Sequence, residues 1–132
     1  MSTVDAIVQL SFQVQRILAS VGAEHDLSII QLRLLGILRD RQPGMLELGH
    51  HLGLDKSSIT GLVSRAEKRG LVQRTPSPHD GRGVLVALTP AGRRLAEQGE
   101  MQITRRITEL TKALNATQRK QFTQLAMVLV EG

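Results

Sequence analysis

The sequence predicts a mainly α-helical chain that carries one small β-hairpin, and three patterns predict it. Apolar residues recur at helical spacing near both ends, in Ile7, Leu10, Val14, Ile17 and Val21 and again in Phe122, Leu125 and Leu129. Between these ends, two short helical segments meet at Gly53-Leu54, with Asp55 placed to cap the second. Two apolar runs, residues 71–75 and 84–88, then flank the turn-rich connection Pro76-Ser77-Pro78-His79-Asp80-Gly81-Arg82-Gly83.

The elements follow in order. Alternating steps of three and four in the first helix make the narrow seam of a helix packed against other helices or a partner chain, and Gly22 is its expected stop. Ser28 is a good N-cap for a second helix through Leu32, Leu35 and Leu38, which ends at the turn Gln42-Pro43-Gly44. A short third helix covers residues 46–52. In the fourth, Ile59, Leu62, Val63 and Ala66 form a buried stripe at i, i+3, i+4 and i+7. Gly70 ends it, with Lys68 and Arg69 in the last turn where the helix dipole favours cations. The run at 84–88 does not alternate, and its position after a Gly/Pro loop decides for strand. Thr89-Pro90 supplies an N-cap and a first-turn proline for a long helix through Leu95, Ile103, Ile107, Leu110 and Leu114, and Asn115 caps a last one.

Composition removes several classes of function. The 132 residues suit one domain. With no Cys there is no disulfide framework, thiolate zinc site, iron–sulfur cluster or thiol switch. The only aromatics are Phe12 and Phe122, too few for the stacking platforms that bind single strands. The apolar run Ala126-Met127-Val128-Leu129-Val130 falls far short of the ~20 residues of a membrane span, and Asp5 with no basic n-region argues against a signal peptide. A cytoplasmic protein without a membrane partner is expected. His50 and His51 sit about 100° apart on a helix and cannot share a metal as i,i+4 histidines do. No nucleophile–base spacing, phosphate loop or paired carboxylates stand out, so neither an enzyme nor a cofactor is expected.

Charge points to the partner. Lys and Arg number 17 against 12 Asp and Glu, a net of +5. Residues 55–94 hold eight basic and three acidic groups, which accounts for the whole imbalance. The exposed face of the fourth helix reads Lys56, Ser57, Ser58, Thr60, Gly61, Ser64, Arg65, Lys68, with Glu67 the only acid between Lys56 and Arg69. A merely solvated helix mixes both signs. Short hydroxyls and cations on a helix suit the major groove of duplex DNA, and a basic hairpin tip suits the backbone or the minor groove. Two short helices followed by such a hairpin make a winged helix-turn-helix.

The same residues resemble the MarR (multiple antibiotic resistance regulator) family of transcription factors. The resemblance rests on Leu54-Asp55-Lys56-Ser57-Ser58-Ile59-Thr60, Glu67-Lys68-Arg69-Gly70-Leu71-Val72-Gln73-Arg74, Asp80-Gly81-Arg82 and Leu88-Thr89-Pro90-Ala91-Gly92, in that order. It implies a single domain over residues 1–132. Within it a winged-helix lobe spans about 28–92, between dimerisation helices at about 2–22 and 90–131. It further implies a homodimer that sets two recognition helices in successive major grooves of a pseudo-palindrome, with half-sites about 10 bp apart. Asp80 and Arg82 match the family's wing pair, the arginine reaching the minor groove and the aspartate bracing it. Glu67 is expected to orient Lys68 and Arg69. Gly61 departs from the family, where an arginine is common.

The expected DNA-binding set is therefore Lys56, Ser57, Ser58, Thr60, Gly61, Ser64, Arg65, Lys68, Arg69, Arg74, His79, Asp80 and Arg82. Family members also bind small effectors that weaken DNA binding. Arg16, His25 and Arg33 are polar groups that would line such a pocket, or else surface or interface groups. The expected function is a sequence-specific, double-stranded-DNA-binding transcriptional repressor, with a sequence-tolerant architectural DNA binder as the alternative.

Overall fold

The computed structural model describes residues 1–79 and 83–132. In chain order it contains α1 (Thr3–Glu24), α2 (Ile29–Asp40), α3 (Met45–Leu52), α4 (Lys56–Lys68), β1 (Val72–Pro76), β2 (Val84–Leu88), α5 (Pro90–Leu110) and α6 (Ala116–Glu131), with a 3-10 turn, Thr111–Ala113, before α6. Helices α2, α4, α5 and α6 begin at the caps read from the sequence. Ser2, Ser28 and Asn115 form reciprocal capping boxes with Asp5, Gln31 and Gln118. Asp55 and Thr89 cap α4 and α5 through one side-chain bond each.

Of the boundaries that differ from the sequence reading, three have a clear local reason. First, α1 runs through Gly22 to Glu24. The glycine is needed for close approach, because a Cβ there would stand 2.5 Å from the Leu27 carbonyl oxygen as the chain doubles back. Asp26 makes that reversal in the left-handed region, at φ 55°. Second, β1 starts at Val72 because Leu71 still closes α4. Its N–H reaches the Ala66 carbonyl at 3.0 Å while the Gly70 N–H reaches Glu67 at 2.9 Å, a Schellman closure with Gly70 at φ 73°. Third, α5 ends at Leu110, and Leu114 adopts extended backbone as the Asn115 cap begins.

The core is centred on α2, whose Leu34, Leu35 and Leu38 are buried together with Val21, Leu48, Ile59, Leu62, Val63 and Val86. The α4 stripe read from the sequence is buried in full. Helices α1, α2 and α5 pack on one another, and α3 packs on α4. The hairpin is antiparallel in the register Val72↔Leu88 to Pro76↔Val84. Its inner strand β2 also meets the α2–α3 connection, where Pro43 accepts from the Val86 N–H at 2.9 Å and Gly44 bridges Leu85. Covered by α2, α3 and α5, β2 buries Val86, Ala87 and Leu88 in succession, and so it does not alternate.

One clasp holds α5 against the hairpin. Thr89 donates through Oγ1 to the Gly70 carbonyl at 2.6 Å and through its N–H to the Leu71 carbonyl at 3.1 Å. A Cβ on Gly92 would lie 1.9 Å from that same Leu71 oxygen. The Thr89-Pro90-Ala91-Gly92 motif is thus a joint between a helix start and a strand start. The end helices stay uncovered: α6 contains no buried residue, and Val4, Ile7, Val8 and Phe12 of α1 are exposed. Among the described residues, no helix is long and apolar enough to cross a membrane.

Candidate nucleic-acid interface

The face begins at the cap of α4. Asp55 Oδ1 accepts the Ser58 N–H at 2.7 Å, and the Ser58 bonds hold this carboxyl below the usual aspartate range. The first turn of α4 therefore projects its remaining N–H groups and positive dipole end beside the Lys56 ammonium, a suitable seat for phosphate. Lys56, Ser57, Ser58, Thr60, Arg65 and Lys68 are exposed, and Gly61 and Ser64 are half-buried. The Thr60 hydroxyl donates to the Lys56 carbonyl at 2.8 Å, which leaves its oxygen to accept only.

Gly61 has a local explanation that spacing alone did not reveal. A Cβ there would stand 3.1 Å from Arg65 Nη1, so the Arg65 guanidinium lies over the bare backbone one turn back. The Arg65 guanidinium therefore occupies the space that a side chain at position 61 would take.

The second strand-to-helix link also escaped the sequence reading. Arg74 of β1 donates through Nε to Glu67 Oε1 at 2.9 Å and through Nη2 to Ser64 Oγ at 3.2 Å. Glu67 was expected to orient Lys68 and Arg69. It pairs with Arg74 instead, because residues one and two apart on a helix do not share a face, whereas β1 brings Arg74 alongside. Arg69 turns the other way. Its Nη1 and Nη2 donate to the carbonyls of Asp26 and His25 at 2.8 and 3.0 Å. Neither partnership joins neighbours on one helix, so no periodic pattern announced it.

At the hairpin tip, His79 is exposed, its N–H 3.4 Å from Ser77 Oγ, and the Ser77 N–H donates to the Gly83 carbonyl at 2.9 Å. Asp80 and Arg82, the expected wing pair, lie outside the described residues.

The three effector candidates do not converge. Arg33 lines a cavity of about 430 Å³ with Gly36, Ile37, Asp40, Arg41 and His51, and Arg16 and His25 are not in its wall. The His25 ring is engaged by Gln102 of α5 at 2.7 Å, and Arg16 is exposed on α1. A different hollow of about 240 Å³ lies between α2 and α5, lined by Leu32, Gly36, Arg39, Ala96, Glu100, Ile103 and Thr104. Arg39 and Glu100 form an ion pair across it. The helical spacing of the apolar residues gave no hint of this hollow, since its wall mixes both helices.

A helix-turn-helix of α3 and α4, followed by a hairpin whose first strand is bonded back to α4, defines a winged-helix protein. Comparison with known proteins narrows the class. The MarR family model matches residues 25–83. The transcriptional repressor NicR of Pseudomonas putida is 34% identical over 113 residues, which cover 84% of this chain and 71% of that protein. The multiple antibiotic resistance protein MarR of Salmonella typhimurium is 39% identical over 72 residues, and the match spans half of its length. A crystal structure of a cysteine-to-serine variant of Escherichia coli MarR complexed with operator DNA superposes with a TM-score of 0.78 at 28% identity, covering 95% of this chain and 91% of that one. The chain belongs to the MarR family.

Proposed function

We propose that this chain is a homodimeric, sequence-specific transcriptional repressor that binds a pseudo-palindromic operator in double-stranded DNA. The observation that carries the reading is the exposed face of α4, where Lys56, Ser57, Ser58, Thr60 and Arg65 stand on a rigid, capped helix beside a wing strand fastened to it. Lys56 and the helix start take phosphate. Arg65 and the hydroxyls reach base edges, and the wing takes the flanking backbone or minor groove. The Escherichia coli MarR variant that superposes on this chain was crystallised with operator DNA.

The dimer rests on the end helices. An amphipathic α6 with Leu125, Val128, Leu129 and Val130 all exposed needs a cover, and so does the face of α1 that carries Val4, Ile7 and Phe12. A second copy offers the same two faces, which suits a self-complementary interface. The hollow between α2 and α5 is the seat we assign to a small effector that weakens DNA binding.

The test is selection of a duplex from a randomised library, followed by competition with unselected duplex. A repressor of this kind prefers its selected duplex by roughly 10³-fold or more. Equal affinity for all duplexes would leave the architectural alternative. Ser58→Ala or Thr60→Ala should relax sequence preference more than it lowers non-specific affinity, and a uniform loss would make these residues backbone contacts.

A further inference from the structure

Arg69 stands among the cations of α4, yet its side chain is committed elsewhere. It is the C-cap residue of α4, the last position before Gly70 turns the chain into β1. Both terminal nitrogens of its guanidinium donate into the α1–α2 turn, to the carbonyls of Asp26 and His25. The left-handed Asp26 sets two successive carbonyls toward one guanidinium fork, a geometry that a single ammonium does not reproduce. The turn is itself tied down. His25 Nε2 meets Gln102 Oε1 of α5 at 2.7 Å, and Gln102 Nε2 donates to Glu24 Oε2 at the end of α1 at 2.9 Å. A continuous run of hydrogen bonds thus leads from α5, through the end of α1, to the end of α4.

We propose that Arg69 is a positioning residue that fixes α4 relative to α1 and α5, and so sets the separation of the two α4 helices in the dimer. This rests on the reading of the chain as a dimeric DNA-binding protein. In that dimer α1 and α6 form the interface, α5 packs on α1 and leads into α6, and α4 makes the contacts, so any hinge between this frame and α4 acts at their junction. Arg69 occupies that junction with two charge-assisted bonds, and its own contacts direct it away from the phosphates that its sequence neighbours meet.

The experiment uses the full chain and the duplex that the wild type selects from a randomised library, together with versions carrying one base pair inserted or deleted between the half-sites. Affinities are measured across a salt series, at a temperature where circular dichroism finds every variant folded. The wild type should reject altered spacing at least tenfold. Arg69→Gln should narrow that preference to threefold or less while leaving the slope of log affinity against log salt unchanged. Arg69→Lys, which keeps the charge and loses the fork, should fall between the two. Gln102→Leu breaks the same run at a site with no cation and should also narrow the preference.

A slope that falls by about 2 per dimer in Arg69→Gln, with the spacing preference intact, would make Arg69 a phosphate contact and overturn the proposal. Unchanged spacing preference in both Arg69→Gln and Gln102→Leu would overturn it as well. A wild type that selects no duplex would overturn the DNA-binding reading itself, and this inference with it.

Discussion

Adding one methyl group at Gly92 tests how α5 is joined to the wing. The Cβ of Gly92→Ala would lie 1.9 Å from the Leu71 carbonyl oxygen, 2.8 Å from its carbon and 3.2 Å from its Cα. All three are backbone atoms, so no rotamer change relieves the clash. Restoring an ordinary separation of about 3.5 Å requires α5 and β1 to part by roughly 1.5 Å. That movement breaks the bonds from Thr89 Oγ1 to the Gly70 carbonyl and from Thr89 N–H to the Leu71 carbonyl, now 2.6 and 3.1 Å long.

At about 1 kcal/mol each the two bonds amount to about 2 kcal/mol, against which alanine's better helix propensity returns about 1 kcal/mol. Residual overpacking adds about 1–2 kcal/mol, so the net loss is about 2–3 kcal/mol. For a chain of this size that lowers Tm by roughly 10 °C. Thermal and urea unfolding at one fixed protein concentration measure it, since a dimer's Tm depends on concentration. Gly36→Ala is the control: a Cβ there meets nothing within 4 Å, and it should raise stability by about 0.5–1 kcal/mol. If Gly92→Ala unfolds with the wild type or above it, the clasp between α5 and Leu71 does not hold in solution.

Further outcomes follow from the same geometry. Gly61→Ala displaces the Arg65 guanidinium from 3.1 Å while improving helix propensity, so stability should rise by up to about 1 kcal/mol while duplex affinity falls at least threefold. Parallel change of the two, read by thermal unfolding and fluorescence anisotropy, would contradict the placement of Arg65. Folding lowers the Asp55 pKa, so the stabilisation from its charge is complete above the ordinary aspartate value and is lost as pH falls below about 4. Asp55→Asn keeps a capping side chain and should flatten this part of the stability–pH curve, whereas an unchanged curve would assign the acid sensitivity elsewhere. Val128→Asp buries a carboxylate in the proposed α6 interface and should weaken the dimer by more than about 3 kcal/mol, over a hundredfold in Kd. Sedimentation would then find the 14.5 kDa monomer, and an unaffected dimer would place the interface on another face.

Local physics wrote much of this protein into its sequence. Ser28, Asp55, Thr89 and Asn115 cap the helices they were expected to cap, because a cap bonds an N–H only two or three residues away. The stripe Ile59, Leu62, Val63 and Ala66 is buried because helical period and apolarity suffice to choose a face. The concentration of positive charge in residues 55–94 marked the face later found exposed on α4, since charge resists burial wherever the chain goes.

Tertiary structure alone decided which cation serves which partner. Glu67 and Arg74 are seven residues apart, Arg69 and Asp26 forty-three, and no periodicity relates such positions. The same holds for close approaches. Gly22 and Gly92 read as a stop and as part of a motif, and only the packed chain sets the carbonyls of Leu27 and Leu71 where a Cβ would stand. The effector candidates scattered for this reason too: Arg16, His25 and Arg33 look alike as polar breaks in apolar helices, but helix packing sends them to different neighbours. Sequence determined the elements, their caps and the sign of the exposed face, because those depend on neighbours along the chain. Joints, hollows and the assignment of each charge depend on neighbours in space, and they come into being only when the helices meet.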